Sequence, residues 1–226
     1  MTPRSIVVLS GGQDSSTTLA YAAGSTGVVA CVHFQYGQRH AVERDSAQWW
    51  ADRLAAPLVV LDVPAIGDAV SSALTSAGAV TDAHPNAPHL PASFVPGRNV
   101  VMLTLAAAVA HRLAAPNVWA GMSAVDYSGY PDCRPGTLRS TEQTIRLALD
   151  WPDCTLHLPL LDRSKADTFA LAERLGVLDD VIEHTHTCYE GDHSTRHEWG
   201  YGCGACPACV IRRDGWREFR GGKVQS

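Results

Sequence analysis

Short apolar runs alternate with longer helix-forming stretches along most of the chain. Runs of mainly β-branched and other apolar residues predict strands at 6–9, 28–34, 58–61, 118–121 and 155–158. The stretches that follow them predict helices at 15–23, 41–54, 100–113, 136–149 and 165–175. Because strand and helix alternate with short connections, we expect a doubly wound α/β fold around a mostly parallel five-stranded sheet.

Two regions depart from this alternation. Residues 62–95 lose the periodicity and include the proline-rich stretch 83–91, which predicts an irregular loop, either a lid over a site or a plain surface excursion. The C-terminal residues are rich in cysteine and glycine. We therefore predict an α/β domain over residues 1–180 and a small C-terminal extension over residues 181–226, packed on the same core.

The composition is that of a soluble globular protein. A chain of 226 residues with 46% hydrophobic and 18% charged residues suits one core with a small appendage. A net charge of −5 and the lack of a basic stripe argue against direct nucleic-acid binding. No apolar run approaches the roughly 18 residues of a membrane helix, and the N-terminal run is too short for a signal peptide. We therefore expect a cytoplasmic protein with no membrane partner.

The loop Ser10–Ser16 directly follows the first predicted strand and precedes a predicted helix. Glycines at positions 11 and 12 let the backbone turn sharply and approach a ligand. Backbone N–H groups, the helix N-terminus and serine hydroxyls then converge on one point, which predicts a phosphate site. Asp14 would repel a bare phosphate unless a divalent cation bridged the two, so we expect Mg²⁺. A tight turn before a serine-capped helix is the alternative.

Polar residues also follow two other predicted strands. Tyr36 comes after the second strand, and the loop Asp126–Arg134 comes after the fourth. Because the carboxyl ends of parallel strands lie at one edge of the sheet, both segments should meet the Ser10–Ser16 loop. Tyrosines can stack on a flat ring, and carboxylates can accept paired N–H donors from a guanine-like edge. A turn with exposed polar groups is the alternative.

Two basic residues lie where a helix dipole disfavours them. Arg98 stands at the start of the predicted helix 100–113, where Asn99 is a candidate cap, and Lys165 follows Ser164 in a predicted capping box. A bound anion would explain both positions: a phosphate or carboxylate at Arg98, and an ATP phosphate at Lys165. An incidental surface arginine and a solvated lysine are the alternatives.

Four of the seven cysteines crowd the C-terminal region: Cys188, Cys203, Cys206 and Cys209. Four thiolates in one tetrahedral set predict a closed, structural zinc site. An iron–sulfur cluster can use the same ligands, and free buried thiols are a further alternative. The residues between the first and second of these cysteines include other candidate ligands: Asp192, His193, His197 and Glu198.

Taken together, these motifs resemble known enzymes. The string SGGQDS resembles the phosphate loop of the ATP pyrophosphatases, or PP-loop enzymes, and differs from a Walker A motif because no lysine follows the glycines. Within that class the chain closely resembles the 7-cyano-7-deazaguanine synthases of the queuosine pathway. The matching stretches run in order along nearly the whole chain: VVLSGGQDSSTTL, QYGQRH, FVPGRN, DYSGYPDCR, THTCYEG and CGACPAC.

The resemblance implies an adenine nucleotide alpha hydrolase-like fold, a homodimer, and ligase chemistry that uses ATP. In that chemistry ATP adenylates the carboxylate of 7-carboxy-7-deazaguanine, ammonia displaces AMP to form the amide, and a second activation dehydrates the amide to the nitrile. It also implies that zinc is held by the four C-terminal cysteines. The implied ATP contacts are Leu9, Ser10, Gly11, Gly12, Gln13, Asp14, Ser15, Ser16, Thr17, Thr18 and Leu19.

Side-chain chemistry suggests the remaining site residues. We expect substrate contacts from Tyr36, Gln38, Arg39, Arg98, Asn99, Asp126, Tyr127, Tyr130, Asp132 and Arg134. We expect catalytic roles for Ser10, Asp14, Arg98 and Lys165.

Two departures from the family pattern bear on these expectations. Position 35 is Gln where Asp or Asn is expected, and the interval between Cys188 and Cys203 is longer than usual. Three other functions remain open: a relative that stops at the amide or conjugates the adenylate to another amine, a PP-loop enzyme that modifies tRNA, and a non-catalytic nucleotide-binding module.

Overall fold

The structure is a computed structural model that describes residues 2–37, 42–70, 72, 82–84, 86–125 and 130–222. Its strands are β1 (Arg4–Val8), β2 (Gly27–Gln35), β3 (Leu58–Asp62), β4 (Ala83–His84), β5 (Ala87–Pro91), β6 (Asn117–Ala120), β7 (Thr155–His157), β8 (Arg196–His197) and β9 (Gly200–Tyr201). Its α-helices are α1 (Gln13–Ser25), α2 (Val42–Arg53), α3 (Ala65–Asp68), α4 (Arg98–Arg112), α5 (Pro135–Ala148), α6 (Lys165–Arg174), α7 (Leu178–His184) and α8 (Pro207–Arg220).

Five strands form one sheet in the order β3–β2–β1–β6–β7, and every neighbouring pair is parallel. This confirms the predicted doubly wound α/β fold. The chain builds outward from β1 to β3 and then continues on the other side of β1 with β6 and β7. The direction of winding therefore reverses between β1 and β6, where a crevice opens outside the carboxyl ends of the strands.

Alternate side chains of the sheet belong to two separate apolar clusters. Val7 on β1 packs with α1, α2 and α6, whereas Ile6 packs with α4 and α5 on the opposite face. Helices on both faces explain why the strand sequences are nearly continuous apolar runs rather than alternating ones.

The C-terminal residues share the first of these clusters. Trp216 of α8 is buried against Phe169 of α6, with ring centroids 5.1 Å apart in an edge-to-face arrangement.

No helix in the described residues is both long and apolar enough to cross a bilayer.

Several elements differ from the sequence-based predictions. Residues 62–95 contain more than irregular loop, because α3 and the antiparallel pair β4–β5 lie in their described part. The hairpin β8–β9 and helices α7 and α8 also have no counterpart among the predictions. The predicted capping role of Asn99 is wrong: α4 begins at Arg98, and Gly97 occupies the cap position at φ 72°.

Candidate functional site

The Ser10–Ser16 loop joins β1 to α1 at the point where the sheet reverses direction. Gly11 has φ 86°, and a Cβ there would lie 2.7 Å from the Ala47 nitrogen and closer still to the Glu43 carbonyl oxygen. Gly12 caps α1 without a side-chain hydrogen bond. The N–H groups of the first helical turn are thus left to face an anion, as the loop sequence predicts.

The serines of the loop take different positions. The Ser10 hydroxyl is exposed and lies 3.0 Å from the Ser15 hydroxyl, which also accepts a hydrogen bond from the Ser10 N–H at 3.1 Å. Ser16 is fully buried, and its hydroxyl has no protein partner among the described residues. Ser15 therefore braces the loop, while Ser10 presents its hydroxyl to solvent.

Other residues of the predicted ATP contact set lie beneath the loop. The fully buried ones, at 0% exposure, are Leu9, Thr17, Thr18 and Leu19. Gln13 is 1% exposed, and neither atom of its amide has a protein partner among the described residues. Leu9 and Leu19 belong to the first apolar cluster. The Thr17 hydroxyl donates to the Gln13 carbonyl oxygen at 2.8 Å, and the Thr18 hydroxyl is buried without a protein partner among the described residues.

A cavity of about 210 Å³ opens at the reversal point of the sheet. It is lined by Asp14, Arg98, Gly121, Met122, Ser123, Tyr130, Cys133, Lys165, Thr187, Tyr189, Ala208 and Ile211. Gly121 follows β6, and a Cβ at that position would lie 2.7 Å from the carbonyl carbon of Asp14. This close approach brings the end of β6 onto the start of α1, so that both line one cavity.

Three charged side chains of the described residues line the cavity: Asp14, Arg98 and Lys165. Lys165 forms an ion pair with Asp14, whose other carboxylate oxygen is buried without a protein partner among the described residues. The Arg98 guanidinium donates to the Tyr36 hydroxyl at 3.1 Å and lies 5.6 Å from the centre of that ring. The cavity therefore offers two cations and one incompletely bonded carboxylate.

Burial changes the acidity of these groups. Burial would lower the pKa of Arg98, but its interactions with Tyr36, Tyr130 and neighbouring groups, including the Asp132 carboxylate, outweigh that effect, and the net shift is upward. Burial also raises the pKa of Tyr36 and, more strongly, of Tyr189. At neutral pH the site therefore keeps a charged arginine beside neutral tyrosines.

The predicted substrate loop contributes Tyr130 directly and Asp132 indirectly. The Tyr130 hydroxyl hydrogen-bonds the Ser93 hydroxyl at 2.8 Å. Asp132 is buried and accepts from the Asn99 backbone N–H at 3.0 Å, and the Asn99 amide donates to the Cys133 sulfur at 3.2 Å. Asp132 and Asn99 thus tie the loop to the start of α4, behind the cavity wall.

The remaining predicted substrate residues fall into two groups. Arg134 is exposed, precedes α5 and does not line the cavity. The others lie outside the described residues: Gln38, Arg39, Asp126 and Tyr127.

Four residues of the cavity wall come from the C-terminal region and have no place among the predicted contacts. Thr187 and Tyr189 flank Cys188, and Ala208 and Ile211 lie on α8. The THTCYEG string contains the first two and was the available signal for them.

The four C-terminal cysteines form a compact set of sulfur atoms, all within 4.8 Å of one another. The sulfurs of Cys188 and Cys206 are 3.9 Å apart, and those of Cys203 and Cys209 are 4.0 Å apart. Sulfurs about 2.3 Å from a tetrahedral zinc would be separated by roughly 3.8 Å. The geometry therefore fits a four-thiolate zinc site.

The alternative ligands are engaged elsewhere or are absent from this set. The His197 ring nitrogen hydrogen-bonds the Gly202 carbonyl at 2.9 Å, and Asp192 accepts from the Ser194 backbone at 2.8 Å. In the described parts of the chain, no histidine or carboxylate joins the four thiols.

The reversal of the sheet and the glycine–serine loop at that point define an α/β fold of the PP-loop ATP pyrophosphatase class. A solved 4-thiouridine synthetase–RNA complex with bound ATP superimposes with a TM-score of 0.53 at 14% identity, covering 98% of this chain and 52% of that one. NMN synthetase from Francisella tularensis gives 0.50 at 13% identity, covering 100% and 88%. At such identities the likeness shows the fold alone.

Sequence comparison identifies the family. Residues 4–220 match the family model described as "Queuosine biosynthesis protein QueC", and the chain belongs to this family. A protein of Wolinella succinogenes named 7-cyano-7-deazaguanine synthase is 46% identical over 217 residues, covering 95% of this chain and 93% of its own. A protein of that name from Alkalilimnicola ehrlichii is 44% identical over 230 residues, covering 96% and 94%. The resemblance carried by the motifs is thereby confirmed.

Proposed function

We propose that the chain is an ATP-dependent 7-cyano-7-deazaguanine synthase, a carbon–nitrogen ligase acting on 7-carboxy-7-deazaguanine and ammonia. The observation that carries this proposal is the shared cavity. Asp14 of the phosphate loop and its partner Lys165 line this cavity. Arg98 and Tyr130, two of the predicted substrate contacts, line the same cavity. The names of the relatives supply the identity of the product.

The proposed reaction activates one carbon twice. The substrate carboxylate attacks the α-phosphorus of ATP and pyrophosphate leaves, after which ammonia attacks the acyl carbon and AMP leaves. The resulting amide oxygen attacks the α-phosphorus of a second ATP and pyrophosphate leaves, and loss of AMP with two protons then yields the nitrile. A carboxylate is a poor electrophile, and AMP is a far better leaving group than oxide. Holding the three reactants in one cavity supplies the required orientation.

The residues of the phosphate loop are suited to the nucleotide. In this proposal the first N–H groups of α1 and the Ser10 hydroxyl bind phosphate oxygens. Lys165 exchanges its contact with Asp14 for the phosphates, which stabilises the charge that develops as pyrophosphate leaves. The unpartnered oxygen of Asp14 fits a Mg²⁺ ligand, and the ion would screen the triphosphate.

The opposite side of the cavity is suited to the deazaguanine. Arg98 is positioned to pair with the substrate carboxylate, and Tyr130 with Tyr189 offers aromatic surface for a flat ring. We keep Gln38, Arg39, Asp126, Tyr127 and Arg134 as proposed substrate contacts. The cysteine set would hold a structural zinc with no open coordination position. The cytoplasmic location, the homodimer and the absence of nucleic-acid or membrane partners also belong to this proposal.

The decisive experiment identifies and quantifies the reaction products. The purified protein is incubated with 7-carboxy-7-deazaguanine, ATP, Mg²⁺ and ammonium, and nitrile, amide and AMP are quantified by mass spectrometry. We expect two AMP for each nitrile. Accumulation of amide with one AMP would favour the relative that stops at the amide, and ATP binding without AMP release would favour a binding module.

Lys165 gives the sharpest variant for this assay. Lys165→Met should lower the rate of AMP formation by about 10² to 10³, the usual cost of removing one preorganised group that stabilises charge. Arg174→Met is the matched control, because Arg174 is an exposed cation in the last turn of the same helix. Equal rates for the two variants would contradict the role given to Lys165.

A further inference from the structure

Arg212 is a buried arginine that the proposed mechanism does not use. It lies on α8, one turn after Cys209, and its side chain is 0% exposed. Its guanidinium donates to three separate segments: to the Val181 carbonyl at 3.0 Å, the Trp199 carbonyl at 2.8 Å and the Thr187 hydroxyl at 2.9 Å. One side chain thus connects the middle of α7, the β8–β9 hairpin and the wall of the cavity.

The charge of this group is not matched by a bonded carboxylate. All three of its hydrogen-bond acceptors in the described parts of the chain are neutral oxygens. Burying an arginine with neutral partners alone is costly, and the usual remedy is a nearby negative charge. The ionisable groups that act electrostatically on Arg212 are Asp14 and, to a lesser extent, Cys209. Asp14 is already paired with Lys165. The remaining charge that could balance Arg212 is therefore that of the cysteine set when its thiols bind a metal as thiolates.

A metal-bound cysteine set would supply that charge. A divalent zinc with four thiolates carries a net charge of about −2. Burial lowers the pKa of Arg212 to about 10, so the guanidinium is still protonated at neutral pH. The buried cation and the anionic metal centre are therefore electrostatic complements, each reducing the cost of burying the other.

The third hydrogen bond of Arg212, to the Thr187 hydroxyl, connects the arginine to the cavity. Thr187 lines the cavity together with Asp14 and Lys165, and it directly precedes Cys188. Its hydroxyl oxygen accepts from Arg212, so the hydroxyl hydrogen remains able to donate. In the described parts of the chain, Arg212 is the one hydrogen-bond partner of that oxygen. The guanidinium thus fixes where the Thr187 hydroxyl lies and strengthens it as a donor toward the cavity.

We propose that Arg212 is a positioning residue of this site: its charge balances the metal-bound thiolates, and its hydrogen bond fixes Thr187 on the cavity wall. The kinetic part of this inference rests on the proposed synthase function, whereas the metal part does not. The cysteine set and the cavity are then coupled through the Arg212 side chain, in addition to the backbone that joins Thr187, Cys188 and Tyr189.

The test separates the charge from the hydrogen bond. Arg212→Lys keeps the charge and loses the forked geometry, whereas Arg212→Met loses both. Thr187→Val removes the hydroxyl with little change of shape, and Thr187→Ser retains it. Arg217→Met is the control on the same helix, because that arginine is 71% exposed. For each zinc-loaded protein, the rate of zinc release to a chelating indicator is measured beside kcat and KM for ATP and for the deazaguanine acid.

We expect Arg212→Met to release zinc about tenfold faster than the unaltered protein and Arg212→Lys to release it within about twofold, since a charged hydrogen-bond network is worth roughly that factor. Arg212→Lys and Thr187→Val should each lower kcat about tenfold with KM for ATP nearly unchanged. Combining these two changes should cause no further loss, because they break the same contact. Thr187→Ser should retain more activity than Thr187→Val because it keeps the hydroxyl, and Arg217→Met should behave as the unaltered protein does.

Two results would overturn the proposal. The first is zinc release from Arg212→Met at the rate of the unaltered protein. The second is a loss of kcat in the variant that combines Arg212→Lys with Thr187→Val equal to the product of the two single losses. If Arg212 were only a scaffold, zinc release would follow the melting temperature in both arginine variants and Thr187→Val would have no effect. If Arg212→Met does not fold, Arg212→Lys and the combined variant still decide. Absence of nitrile from the unaltered protein would refute the synthase function, while the zinc measurements would still test Arg212.

Discussion

Replacing Gly11 by alanine tests how closely α2 approaches the phosphate loop. The new Cβ would meet the Glu43 carbonyl oxygen and lie 2.7 Å from the Ala47 nitrogen, two backbone atoms that cannot rotate away. A residue with a Cβ at φ 86° costs about 1–2 kcal/mol. Displacing the helix adds about 1–3 kcal/mol. We therefore expect the free energy of unfolding to fall by about 2–5 kcal/mol, a large part of a typical domain's stability.

Gly37 offers a matched control, because it has the same φ of 86° while a Cβ there has no neighbour within 4 Å among the described residues. Gly37→Ala should cost only the conformational part, about 1–2 kcal/mol. Urea unfolding of both variants, followed by circular dichroism, gives the two values. Calorimetric titration with ATP should also show weaker binding to Gly11→Ala, because a shifted loop no longer aims its N–H groups at the phosphates. Equal losses of stability in the two variants would refute the close-approach explanation.

Two further predictions concern the cysteines and a buried histidine. Cys206→Ser should abolish stoichiometric zinc and lower the melting temperature, as metal analysis and calorimetry would show; a brown protein containing iron would contradict the zinc assignment. His33 is buried, and one of its ring nitrogens lies 2.9 Å from the Leu9 carbonyl oxygen. Burial lowers the pKa of His33, and the charge of Arg44 lowers it to a lesser extent. As the pH falls below about 6.5, the unfolded chain therefore takes up a proton on His33 before the folded protein does. Between that pH and the lower folded-state pKa, the free energy of unfolding should fall by up to about 1.4 kcal/mol per pH unit. When the urea midpoint is plotted against pH, His33→Gln should have a smaller slope than the unaltered protein over this pH range. An unchanged slope would contradict this role of His33.

The sheet and its helices could be predicted because their signals are local. The apolar run at 155–158 appears as β7, Thr155–His157, and the predicted helix 15–23 appears as α1, Gln13–Ser25. The capping box at Ser164 is present as expected, with Asp167 as its other half. Each of these features depends on residues within a few positions of one another, which is the range over which sequence patterns are informative.

The features that escaped prediction depend on contacts between distant segments. Asn99 has the right side chain for a cap, but Asp132, thirty-three residues later, supplies the carboxylate that accepts the Asn99 N–H. Arg212 reads as one of several arginines on an amphipathic helix, and its burial follows only from the packing of α7 and the β8–β9 hairpin around it. Such partners are set by tertiary structure, and no local pattern encodes them.

The C-terminal residues form part of the cavity wall. The backbone N–H of His186 donates to the Gly11 carbonyl of the phosphate loop at 3.0 Å. Two residues later the same segment supplies Cys188 to the sulfur set, and the neighbours of that cysteine, Thr187 and Tyr189, line the cavity. A displacement of Cys188 would therefore move the cavity wall and the edge of the phosphate loop together. A metal held by the four cysteines would fix the position of this segment, which lines the cavity and bonds to the loop at Gly11.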